Sequence, residues 1–167
     1  MSKTLLVVDI DNTVAENGQR EHLLPNWSKF FKACDTDTPI VEIIDAIRPL
    51  FDREDIDIVF VTGRNADPEV IEKTQKWLLN HLPEREIFFR PLRDYTKAPL
   101  FKQGVVEEYK KDHHTNIIIM DDDVRICDHF ESLGHKAIRI VKDDYQLAVD
   151  MLNNLFSRSQ VKPQKFK

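Results

Sequence analysis

The stretch "LLVVDIDNTV", Leu5 to Val14, sets an apolar run directly against two carboxylates, Asp9 and Asp11, spaced two residues apart. A short run of Leu and Val that ends in polar turn residues reads as a strand buried on both faces, the kind found inside a parallel sheet. Similar runs recur outward from it, at Thr4 to Val8, Ile56 to Val61, Glu86 to Phe89, Asn116 to Met120 and Lys136 to Val141. Between and after them lie stretches of helical period, roughly Pro39 to Phe51, Pro68 to His81, Pro99 to Lys110, Val124 to Leu133 and Tyr145 to Phe156. Three of these open on Pro, whose missing N–H costs nothing in a first helical turn. The repeated β-α order predicts an α/β fold, a five-stranded parallel sheet flanked by helices and joined by right-handed crossovers.

The chain has 167 residues, 41 % of them apolar and 32 % charged, which suits one domain with a real core. The domain is expected over residues 1–157, with a small insert at 14–37 and a basic, Pro-containing tail at 158–167. The opening apolar run is too short for a signal peptide and no stretch reaches the length of a membrane span, so the reading is cytoplasmic with no membrane partner. A formal net charge of −5 speaks against adhesion to polyanions by bulk electrostatics. Cys34 and Cys127 lack metal or redox spacing and read as reduced thiols. His113 and His114 are neighbours in a polar stretch, where side chains point apart, and are expected in a solvated loop.

In a parallel sheet the carboxyl ends of the strands share one edge, and ligands bind in the crevice there. Three strands end in chemistry at that edge: Asp9, Asp11 and Thr13; then Thr62, Gly63 and Arg64; then Asp121, Asp122 and Asp123. Each has an ordinary explanation, since Asp caps helices and Gly permits turns. Their coincidence on one edge is what favours function. Carboxylates converging from separate strands repel unless protons or a cation relieve them, and an all-oxygen set favours Mg²⁺.

These motifs resemble, in order, those of the haloacid dehalogenase-like phosphohydrolases: "DIDNT", with Asn12 where Gly is frequent, then "VTGR", then "MDDD". The resemblance implies a Rossmann-like fold of that family, with Asp9 as nucleophile and Asp11 as general acid and base. It implies Mg²⁺ held by Asp9, Asp121, Asp122 and the backbone carbonyl of Asp11. Chemistry agrees, because a carboxylate is a competent nucleophile and its acyl phosphate is labile to water. Asp11 would need a raised but reversible pKa. A lysine that neutralises the phosphate completes the family's set, with Lys97 and Lys102 as candidates.

Within the family, "FFKACDTDTPI", "FRPLRDYTKAPLFK" and "DDDVRICDHFESLG" are similar to the 3'-phosphatase domain of phage polynucleotide kinase-phosphatases. That likeness selects Lys102, with Thr62, as catalytic, and places Arg90 beside Thr13, Gly63 and Arg64 as substrate-binding. Asp123 stands where those relatives often carry Arg. The insert from Val14 to Asp37, with Trp27, Phe30 and Phe31, is too short for a full cap and reads as a small folded flap over an open crevice. An open crevice suits a phosphate at the end of something large. The expected activity is therefore removal of a 3'-phosphate from a nucleic-acid end, with a nucleotidase or general acid phosphatase as the alternative. No G-x-x-x-x-G-K-[ST] occurs, so no kinase is expected in this chain.

Overall fold

The computed structural model describes residues 2–156; the basic stretch at 158–167 lies outside the described residues. A parallel sheet is built from β1 (Lys3–Val8), β4 (Ile56–Asn65), β5 (Ile87–Arg90), β6 (His114–Asp121) and β7 (Lys136–Arg139). Its order is β5-β4-β1-β6-β7, so β1 is central and pairs with β4 on one side and β6 on the other. The insert carries a two-stranded antiparallel ribbon, β2 (Ala15–Glu16) with β3 (Thr38–Pro39), and a short helix α1 (Trp27–Lys32) between them. Five further helices follow: α2 (Val41–Ile47), α3 (Pro68–Leu79), α4 (Ala98–Tyr109), α5 (Val124–Ser132) and α6 (Tyr145–Phe156). No helix of the described residues is long and apolar enough to cross a membrane.

Period-two alternation explains why the central strands are apolar throughout. Leu6 and Val8 join Ile58, Phe60, Ile118 and Met120 in one buried cluster, which α2, α3 and α6 cover with Ile43, Ile47, Trp77, Ala148 and Leu152. Leu5 and Val7 turn the other way and join Val59, Val61, Ile117 and Ile119 beneath Phe101, Val106, Ile126 and Phe130 of α4 and α5. Each such side chain contributes on the order of 1.5–3 kcal/mol by leaving water. A slip of one residue would exchange the two faces, which pins the register that brings the strand ends together.

Some boundaries and one placement depart from the sequence reading. The helix expected from Pro39 to Phe51 ends at Ile47 and continues as a 3-10 segment, Arg48–Asp52, where Pro49 has no N–H to continue the α-helical ladder. The strand expected from Lys136 to Val141 stops at Arg139. β4, expected to end at Val61, runs on through Thr62, Gly63 and Arg64 to Asn65. The departure in placement concerns His113 and His114, expected in a solvated loop. His114 instead opens β6 with its side chain 2 % exposed, and both imidazoles face Asp57, at 3.7 Å and 2.7 Å. Pairing of β6 with β1 takes His114 into the sheet, and no local pattern announces that.

Candidate active site

Asp9 follows β1 immediately, and its amide donates to the Met120 carbonyl, which ties the residue to the end of β6. The next turn needs a residue in the left-handed region, and Asn12 supplies it with φ 60°. Asn tolerates that conformation better than most side chains, and here its Oδ1 also accepts from the Asn17 amide. The turn brings Thr13 back beneath Asp9, so its hydroxyl donates to Asp9 Oδ2 at 3.0 Å. Thr13 is wholly buried, and its observed role is to orient the Asp9 carboxylate.

Lys102 sits one turn into α4, buried, and its ammonium donates to Asp9 Oδ1 at 2.8 Å and to Asp121 Oδ2 at 2.6 Å. Lys97 is exposed at the start of the same helix, so Lys102 is the lysine that the fold brings to the carboxylates. Oxygens of Asp9, Asp121 and Asp122 lie within 4.8 Å of one another. Burial pushes the Asp9 pKa well up and the charge of Asp121 adds to this, with Lys102 opposing both. Burial and Asp121 likewise push Asp122 up to about 6. One ammonium among two buried carboxylates and a half-buried one leaves an excess of negative charge. An all-oxygen set of this kind fits a hard divalent cation such as Mg²⁺.

Asp123 turns away from this group. Its carboxylate caps α5, accepting from the Arg125 amide at 2.9 Å and pairing with the Arg125 guanidinium at 2.7 Å. Cys127, behind Asp121, is buried and burial raises its thiol to about 12, while Cys34 is buried and also unpaired, so both cysteines are inert thiols.

Asp11 faces a different environment from Asp9. Burial would raise it, yet Arg64 and Arg20 outweigh burial and hold its carboxyl below the ordinary range. This corrects the expectation of a raised pKa. Arg64, at the end of β4, donates from Nε to Asp11 Oδ2 at 3.1 Å and from a terminal nitrogen to Oδ1 at 2.9 Å. The preceding Thr62 is wholly buried, and its hydroxyl accepts from the Arg64 amide at 3.1 Å. Gly63 does not adopt a positive φ, and a Cβ there would meet nothing within 4 Å, so the space above it is open.

Sequence reasoning missed Arg20 and Asp37, which close the insert onto the site. Arg20 is 1 % exposed and donates to both oxygens of Asp37, at 2.7 Å and 2.8 Å, to the Phe30 carbonyl at 2.7 Å, and to Asp11 Oδ1 at 2.7 Å. Asp37 also accepts from Arg64 at 2.9 Å, so two arginines and two aspartates form one buried network. The Arg20 guanidinium lies 4.3 Å from the Phe30 ring centre, which makes Phe30 an anchor, while Trp27 stays outside at 57 % exposure. The insert is thus tied to Asp11 by a buried side chain. A lone Arg in a polar segment carries no local signal of this kind.

Arg90 is not brought into the carboxylate group. It donates to the Thr96 carbonyl at 2.5 Å and more weakly to Asp94, and it stacks 4.7 Å from the Phe101 ring. Its observed work is to clasp the loop that leads into α4.

The family model for the polynucleotide kinase PNKP phosphatase domain matches residues 3–145. No curated protein sequence matches significantly. Among solved structures, the chain is similar to one in the Pnkp1/Rnl/Hen1 complex, with TM-score 0.67 and 16% identity. That match covers 83% of this chain and 46% of the other, so the chain spans less than half the length of that relative. It is similar also to the HAD domain of effector protein Lem4 from Legionella pneumophila, with TM-score 0.60 and 13% identity over 96% of this chain and 97% of that one. A third, the HAD family enzyme bt-2542 from Bacteroides thetaiotaomicron in complex with magnesium and inorganic phosphate, gives TM-score 0.53 and 12% identity over 87% and 99% of the two chains. At these identities the structures establish a shared fold, and the family match over most of the chain supplies the rest: the chain belongs to the PNKP phosphatase-domain family and is a HAD phosphatase.

Proposed function

We propose that the protein is a Mg²⁺-dependent phosphomonoesterase that acts through an aspartyl-phosphate and removes 3'-phosphates from nucleic-acid ends. The observation that carries the chemistry is the contrast between two aspartates two residues apart. Asp9 is gripped at one oxygen by Thr13 and at the other by Lys102, which fixes its direction of attack. Asp11 is held by guanidiniums that a phosphoryl dianion would itself attract.

In the first step an Asp9 oxygen bonds to phosphorus as the bond from phosphorus to the leaving oxygen breaks, and Asp11 gives that oxygen its proton. An arriving dianion offsets Arg64 and Arg20, which moves Asp11 upward to where it can carry a proton. In the second step Asp11 takes a proton from water as the water oxygen bonds to phosphorus and the bond between phosphorus and the Asp9 carboxylate oxygen breaks, freeing the carboxylate. Lys102 balances charge on Asp9 throughout. Asp9, Asp121, Asp122 and the Asp11 backbone carbonyl would hold Mg²⁺, which when bound supplies charge neutralisation at the phosphoryl oxygens.

For the substrate, the support is the family model, which describes a polynucleotide kinase phosphatase domain, together with the open space over Gly63. Thr62, Gly63 and Arg64 would line the path of the phosphate. The net charge of −5 favours a second reading, a nucleotidase acting on small phosphate monoesters. Phosphate release from 3'-phosphorylated oligonucleotides, set beside 3'- and 5'-mononucleotides with Mg²⁺ and with EDTA, decides between them. We expect the highest kcat/KM on the 3'-phosphorylated oligonucleotide, no turnover in EDTA, and none by a folded Asp9→Asn protein. A clearly higher kcat/KM on a deoxynucleoside 5'-monophosphate would transfer the assignment to the nucleotidase.

A further inference from the structure

The end of the sheet opposite the carboxylates holds a second group of metal-binding side chains. Asp57, the second residue of β4, meets His113 and His114 across the start of β6, and one donor atom from each lies within 4.8 Å of the others. Asp57 Oδ2 is 2.7 Å from His114 Nε2 and 3.7 Å from His113 Nε2, and the two imidazole centres are 4.3 Å apart. The group borders a hollow of about 530 Å³ that Glu86, Glu108 and Lys111 also line. At about 3.3 Å per residue, the seven steps from His114 to Asp121 put roughly 23 Å between this group and the phosphatase carboxylates. It serves no step of the reaction described above.

We propose that Asp57, His113 and His114 form a second metal site, separate from the catalytic one, for a borderline divalent cation of the Zn²⁺ class. Two imidazoles and one carboxylate are the ligand set such ions take, and Mg²⁺ is disfavoured by the nitrogen donors. The site would tie β4 to β6 across β1 at the end of the sheet where no other crosslink is made by the chemistry of the active site. Two features oppose it and shape its test. The Lys3 ammonium already sits 3.3 Å from Asp57 Oδ1, so the ion must use Oδ2. The Lys111 amide donates to His114 Nδ1 at 2.9 Å, which leaves the proton on Nε2, directed at Asp57. A cation at Nε2 displaces that proton, Nδ1 becomes the protonated nitrogen, and the Lys111 amide loses its acceptor to solvent. Lys111 lies in an exposed turn, where water can replace the lost bond.

The experiment is a calorimetric titration of the full chain with Zn²⁺ in excess Mg²⁺, alongside amide hydrogen exchange at Lys111. His113 is 42 % exposed in its side chain, so His113→Gln should fold normally and retain Mg²⁺-dependent phosphatase activity. We expect one equivalent of Zn²⁺ bound, affinity reduced at least about tenfold in His113→Gln and unchanged in Asp121→Ala, and faster Lys111 exchange in the Zn²⁺ form. Absence of saturable binding at one equivalent overturns the proposal. So does binding that survives His113→Gln and vanishes in Asp121→Ala, since the ion would then occupy the catalytic carboxylates. Unchanged Lys111 exchange on saturation removes His114 from the ligand set and overturns the three-ligand site. None of these outcomes touches the phosphatase assignment.

Discussion

Arg20→Ala should be the most damaging single truncation in the insert, and the structure sets the scale. The wild-type guanidinium makes four hydrogen bonds at 1 % exposure, two of them to an Asp37 carboxylate that is itself fully buried. Breaking a buried ion pair by removing one partner costs about 3–5 kcal/mol, because the remaining charge is left in a poor solvent. Asp37 keeps one bond from Arg64 and one from Gln19, at 2.9 Å and 3.0 Å, which argues for the lower end, about 3 kcal/mol. For a domain of this size that loss lowers Tm by roughly 6–12 °C. Urea denaturation at neutral pH measures it directly. Arg20→Lys, which keeps the charge and loses the fork, should fall between wild type and Ala. The pH dependence supplies a second check. Asp11 is held below its ordinary pKa, so its interactions stabilise the fold above the ordinary carboxylate range and are lost as pH falls through the folded value. Without Arg20 that acid sensitivity should weaken, and the basic limb of kcat/KM, where Asp11 loses the proton it donates, should move to higher pH. A stability change within about 0.5 kcal/mol of zero, of the size seen at ordinary surface positions, would refute the reasoning.

Asp11→Asn should lose most of its activity on alkoxide leaving groups and less on p-nitrophenyl phosphate, whose phenolate hardly needs a proton; equal losses would count against a leaving-group acid. In EDTA, Asp122→Asn should gain stability over wild type as pH rises from about 4 toward 7. Asp122 is raised to about 6 in the fold, so the wild-type native state binds its proton more tightly than the unfolded chain and loses stability as pH climbs through that value. Thermal melts of the two proteins across that window test it, and parallel curves would remove Asp122 from the buried charge excess. Arg90→Ala should cost about 0.5–1.5 kcal/mol, since water takes up the exposed Thr96 carbonyl, read by thermal melting, and should lower kcat/KM by loosening the approach to Lys102. A fully stable Arg90→Ala protein with a large KM defect on 3'-phosphorylated ends would return the guanidinium to direct phosphate binding.

The residues that could be found without coordinates share one property: backbone periodicity alone determines where they point. Asp9 and Asp121 sit at strand ends and Thr62 lies in the last half of β4, and β-α alternation places these carboxyl-terminal parts toward one edge whatever the details of packing. The burial of Leu5 to Val8 follows from the same periodicity. Asn12 was legible as a departure, and its positive φ supplies the reason that a small, left-handed-tolerant residue belongs there. Lys102 needed more than periodicity: the likeness to the phage phosphatase domain selects it over Lys97, and the fold supplies the reason by bringing its ammonium to Asp9 and Asp121.

By itself, then, the sequence determined the α/β order, the apolar faces of the central strands and the shared edge on which Asp9, Asp11 and Asp121 meet, since all of these follow from local period and chain direction. Only the tertiary structure decided the electrostatics. Whether a carboxylate is raised like Asp9 or lowered like Asp11 depends on which cations fold against it from distant segments, and Arg64 lies 53 residues from Asp11, Lys102 93 residues from Asp9. The same holds for Arg20 in the insert, for Arg90 turned onto its own loop, and for His114 drawn down to Asp57. Side-chain partners across the sheet are set by three-dimensional packing, which leaves no periodic trace in the chain.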